Sequence, residues 1–217
     1  MRSILAWLVG LTVLLPLIAG LIRLRRIDRS YQPFFILLVV GFVNELINGY
    51  VVEIRHSSNA INSNIFALVE WFLILWQFQT WGSFRSKRKA YYVLLFVSCS
   101  IWITENLVLG HIGEFSSYFR FFDSFLIVLL SVNKINFMIT HDNRNLLRHP
   151  GFLICIGFII YFIYKIVYEW AYQTSLFGAT DITDKIEELI GYINALTNII
   201  FAIALLKIPA PEKFTLR

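Results

Sequence analysis

Nine polar residues of this chain lie inside long apolar blocks: Glu45, Asn48, Glu70, Glu105, Arg120, Asp123, Lys165, Glu169 and Asn194. Seven of them are ionisable, five as acids and two as bases. A charged side chain at the centre of a bilayer costs about 2.5–3.5 kcal/mol on insertion scales, and less toward the interface. Left against acyl chains, seven such groups would oppose folding by an amount comparable with a whole protein's stability. They must face one another, water or a ligand. The surplus acids need protons, a bound cation or water, which is the chemistry of a ligand or ion cavity.

Catalytic chemistry is not visible. The histidines at 56, 111, 141 and 149 have no HExxH spacing, and no nucleophile–base pair or three-ligand metal set stands out. Cys99 and Cys155 fall in different blocks at different depths and are not expected to pair. We therefore expect no catalytic residue, no metal and no cofactor, and the chain leans away from an enzyme.

Helical spacing groups the polar residues. Gly41, Glu45, Asn48 and Val52 share one face of their block, and Gly191, Asn194, Asn198 and Ala202 share one face of the last. Lys165 and Glu169 are four apart and Arg120 and Asp123 three apart, so both can pair within their own helix. Glu45, Glu70 and Glu105 have no such neighbour and are read as cavity-lining. Asn133, Asn194 and Asn198 equally suit hydrogen bonds between helices.

The elements that position these groups follow from composition. The chain has 217 residues, 58% hydrophobic and 15% charged, where a soluble domain carries about a quarter charged. The excess falls in blocks of about twenty residues, the length a helix needs to cross a bilayer. Spans are expected at about 4–22, 33–54, 64–83, 91–110, 118–139, 151–172 and 186–206. This reads as an all-α polytopic membrane protein whose residues 1–217 form a single domain of seven transmembrane helices. A soluble enzyme, a disordered chain and a nucleic-acid partner are excluded; the lipid bilayer is the partner the composition demands. The tryptophans lie mostly toward span ends, as interfacial belts do.

Loop charge sets the orientation. Arg23, Arg25, Arg26, Arg29, Arg85, Lys87, Arg88, Lys89, Arg144, Arg148, Lys207, Lys213 and Arg217 fall on one side of the expected spans. Only Arg2, Arg55, Arg120 and Lys185 fall on the other. The positive-inside rule then places the N-terminus outside and the C-terminus in the cytoplasm. Glu45 comes out near the midplane and the other six ionisable groups further outward, so one polar cavity opening to the non-cytoplasmic side is expected.

The segments Val43-Asn44-Glu45-Leu46-Ile47-Asn48 and Leu68-Val69-Glu70-Trp71-Phe72 give the chain its likeness to a known group. It resembles short seven-helix proteins of the bacterial inner membrane. The resemblance implies that location and brings no activity. A faint internal echo joins spans one to three with spans five to seven: a basic loop ending in Pro33 or Pro150, then acids at Glu53 and Glu70 or at Glu169 and Glu187. Two readings stay open. One is a sensory or accessory bundle whose basic loops report to a membrane signalling partner; the alternative is a carrier of a small polar or cationic solute, coupled to protons through Glu45, Glu70 or Glu105. The orientation predicts that a fluorescent protein fused to the C-terminus folds and emits, whereas a phosphatase that needs export stays inactive there. An active phosphatase would invert the topology.

Overall fold

The computed structural model describes residues 11–24, 27–141, 145–173 and 180–208. These form seven α-helices: α1 (Leu14–Ile22), α2 (Gln32–Gly49), α3 (Ala60–Thr80), α4 (Arg88–Ile103), α5 (Ser117–His141), α6 (Pro150–Gln173) and α7 (Thr180–Lys207). Helices α2 and α4 each run on through a π-helical turn, at Tyr50–Ile54 and Thr104–Val108. Six helices, α2 to α7, are long and apolar enough to cross a membrane, so the chain is an integral membrane protein. Helix α1 is the described part of the first expected span. Residues 4–10 of that span lie outside the described residues, as do Arg2, Trp7, Arg25, Arg26, Arg144, Lys213 and Arg217 and the side chains of Glu53, Lys185 and Glu187.

The other boundaries follow the apolar blocks closely, with two extensions. Helix α3 starts at Ala60 rather than 64, and α7 at Thr180 rather than 186. Within the first extension the Asn62 amide donates to Asn44 and Asn48 of α2.

The start of α2 is held by side chains. The Asp28 carboxylate accepts the Ser30 N–H at 2.8 Å and caps the turn Arg29–Tyr31. Hydrogen bonds from Ser30 hold that carboxyl below its usual range. Pro33 follows in the first turn of α2, where its missing N–H costs nothing. The next free N–H, of Phe34, donates to Gln77 Oε1 at 2.8 Å, deep in α3.

Helix α3 is the most enclosed of the six. Asn64, Ala67, Trp71, Ile74 and Phe78 repeat at helical spacing along one buried stripe. Around it α1 packs on α2 and α7, α2 on α3, α5 on α6, and α6 on α7. Phe34, Phe158 and Phe201 meet edge to face with centroids 5.0–6.0 Å apart, joining α2, α6 and α7.

The basic connections gather at one end of the bundle. Arg23 donates to the carbonyls of Leu206 and Ile208 at the end of α7, and Lys207 to Leu147 O at 2.9 Å. Lys134 reaches Trp81 O, at the end of α3, at 3.0 Å. Cations on the last carbonyls of helices meet groups that have no intrahelical donor and carry the negative pole of the dipole. Cys99 and Cys155 are both free.

Gly157 is where α6 and α7 approach most demandingly, since a Cβ there would run into the Phe201 ring. Phe201 is itself wedged between Phe34 and Phe158 and has nowhere to swing. Gly157→Leu should therefore destabilise by about 1–3 kcal/mol through overpacking, read as a lower melting temperature in detergent. An unchanged melting temperature would contradict this packing.

Candidate functional site

Helices α5 and α6 run antiparallel, and this decides how the buried charges meet. Starting from the N-terminus of α5, Arg120 lies level with Glu169 and Asp123 level with Lys165. Arg120 donates to Glu169 at 3.3 Å. Lys165 Nζ lies 3.9 Å from Asp123 Oδ2 and donates to Glu70 Oε2, on α3, at 2.9 Å. The expected local pairs, Lys165 with Glu169 and Arg120 with Asp123, are thus corrected: the ion pairs cross between helices. Spacing along one helix permits a local pair, but side chains that point at a packed neighbour take the partner that the neighbour supplies. The cation that Glu70 lacked in sequence comes from α6.

The Arg120 layer is completed by α3, with Ser63 Oγ at 2.6 Å and Asn64 Oδ1 at 3.3 Å from its guanidinium, and its Cζ lies 5.1 Å over the Phe115 ring. Asn64 also ties down the segment before α5. Its amide donates to Ile112 O and Glu114 O at 3.2 and 2.6 Å, and its Oδ1 accepts the Ser116 N–H at 3.1 Å. Glu105 sits at the same end, but among the described residues no cation meets it. Its two oxygens accept the N–H groups of Tyr118 and Phe119 at 3.1 and 2.8 Å, so it caps α5 from another helix. The positive end of the helix dipole answers its charge.

A cavity of about 140 Å³ opens among the helices beside Glu70. Its polar wall is made by Asn44 and Glu45 of α2, Glu70 of α3, and Asn194, Thr197 and Asn198 of α7. Ile74, Phe158, Tyr161, Phe162 and Phe201 supply apolar and aromatic wall. Glu45 is exposed, whereas Ile74, Phe158 and Phe162 are buried, so the mouth lies on the Glu45 side and the floor toward the phenylalanines. Two groups in this wall stand apart. Thr197 is 2% exposed and its hydroxyl has no hydrogen-bond partner. Among the described residues no cation lies within ion-pair distance of Glu45. By contrast Asn198 bonds to Thr12 Oγ1 at 3.0 Å.

Of the nine residues singled out from sequence, Glu45, Glu70 and Asn194 line this cavity. Lys165 and Asp123 stand behind Glu70, and Arg120 with Glu169 form the next layer toward the α5 N-terminus. Asn48 instead joins Asn44, Asn59 and Asn62 in an amide cluster at the end of α2, and Glu105 is spent on α5. Ser63, Asn64 and Thr197 were not singled out. Their signal was available: Asn64 falls in phase with the buried Ala67–Trp71–Ile74 stripe, and Thr197 in phase with Asn194 and Phe201. No protein-family model, curated protein or solved structure matches the chain.

Removing one member of an enclosed ion pair costs more than removing both, because the survivor is left charged and unanswered. Glu169→Leu and Arg120→Met should each destabilise by about 3–5 kcal/mol. The double variant should recover more than half of that loss in a detergent melting experiment. Additive losses would show that the pair is not coupled.

Proposed function

We propose that the chain is a sensory or accessory seven-helix bundle of a bacterial inner membrane, with its N-terminus outside and its cavity open to the non-cytoplasmic side. The orientation is supported by the gathering of Arg23, Lys134 and Lys207 at one end of the bundle. Glu45 carries the reading of a ligand site. Glu70, Asp123, Glu169 and Glu105 are each met by a cation or by backbone N–H groups, while among the described residues none meets Glu45. A carboxylate that folding does not answer is answered by water or by a ligand.

Helix α7 supplies the route to an output. It holds Asn194, Thr197 and Asn198 in the cavity wall, and three turns on it carries Lys207 and the carbonyls that Arg23 grips. A ligand that favours one placement of α7 biases both connections at the basic end, where a signalling partner in the membrane would read them. In a Cys99→Ser background, Glu45→Cys should react with a membrane-impermeant thiol reagent added to intact cells. A membrane partner should also co-purify in mild detergent, and Lys207→Ala should weaken its retention. Labelling only after permeabilisation, or recovery of the chain alone, would overturn the reading.

One observation favours a carrier instead. Glu70 borders the cavity and also holds Lys165, so a solute cation and the buried ion cluster compete for one carboxylate. In that case reconstituted vesicles should move a cationic solute together with protons, and Glu70→Gln should uncouple the two fluxes. No flux from vesicles that retain folded protein removes this alternative.

A further inference from the structure

Granting the cavity reading, on which this step rests, we infer that the ligand is a small primary ammonium ion bearing a short apolar chain. The first ground is charge. Among the described residues two carboxylates, Glu45 and Glu70, line the cavity, with a third, Asp123, behind Glu70 and one ammonium, Lys165, between them, while Arg120 and Glu169 answer each other. An anionic ligand would add to this excess. A monocation reduces it, and Lys165 already stands between Glu70 and Asp123, which leaves Glu45 for the newcomer.

The second ground is the count of acceptors. A primary ammonium has three N–H donors and no acceptor. Glu45, Asn194 and Thr197 offer a carboxylate, an amide oxygen and a hydroxyl in one wall, with the last two a single turn apart on α7. The Thr197 hydroxyl, buried and without a partner, is the kind of group that a bound donor satisfies.

The third ground is the rest of the wall. Phe158, Phe162, Phe201 and Tyr161 present ring surface beside the carboxylates, and aromatic faces attract ammonium groups. Ile74 and Leu37 line the deeper part, so an alkyl tail has apolar contacts there. A dry cavity of about 150 Å³ takes one benzene-sized molecule, so a volume of about 140 Å³ suits a chain of a few carbons.

The test uses the full chain in detergent, at constant ionic strength, with n-butylammonium chloride, 1-butanol and sodium butyrate as probes of matched shape. Butylammonium should raise the melting temperature saturably, with an apparent affinity at least tenfold above that of butanol, and butyrate should do nothing. Glu45→Gln, conservative in shape at an exposed position, should abolish the butylammonium response, and Thr197→Val should weaken it several-fold. Equal responses to butanol and butylammonium, unchanged by Glu45→Gln, would overturn the ammonium inference and leave the cavity reading standing. A butylammonium response that survives Glu45→Gln and Thr197→Val would place binding elsewhere and also overturn it. If no probe acts and Asn194→Leu simply raises the melting temperature, the cavity is a packing void and both readings fall.

Discussion

An ammonium or guanidinium enclosed between apolar helices needs a carboxylate within a few ångströms, and the arrangement of α3, α5 and α6 is organised around that need. Water cannot reach in to solvate the ion, and lipid has nothing to offer it. Antiparallel packing of α5 on α6 places Arg120 beside Glu169 and Asp123 beside Lys165, two rungs of opposite polarity. Helix α3 then adds Glu70 to one rung and Ser63 with Asn64 to the other. Sliding either helix by a turn would set like charge against like. The ions therefore act more as a device for register than as a source of net stability, since pairing barely offsets their desolvation.

The same scarcity of water governs the backbone. Helix ends expose N–H and C=O groups that the helix cannot pair, and here side chains from other helices meet them. Gln77 reaches the start of α2, Glu105 the start of α5, and Arg23 the end of α7. Where charged side chains meet these ends, their sign follows the dipole, Glu105 at a helix start and Arg23 and Lys134 at helix ends. Carboxylates and amides dominate where α5 begins, and cations dominate where α3 and α7 end.

What this economy leaves over is informative. Most polar atoms of the cluster are consumed in holding helices together, including several that looked available for a ligand. Glu45 and Thr197 are not consumed, and both face one cavity. The ammonium reading draws its force from that shared placement, a carboxylate without a cation and an unpartnered hydroxyl lining one cavity.

The linear order of residues was enough to establish the class of protein, six helices able to cross a membrane to within about six residues at their ends, and the need for polar groups to avoid lipid. These follow from apolar block length and from the cost of burying charge, which are properties of the chain itself. It was also enough to group Glu45 with Gly41 and Asn194 with Asn198, each along one helix face, because helical periodicity is local. It could not say who pairs with whom. Glu70 and Lys165 are 95 positions apart and Arg120 and Glu169 are 49 apart, so their meeting depends on which helices pack and at what register. Nor could it separate Glu105, turned to the backbone of α5, from Glu45, turned to a cavity: both are lone acids in apolar helices. Only the packed structure decides that, since the partner of a buried polar group is chosen by whatever neighbour the third dimension brings within hydrogen-bonding reach.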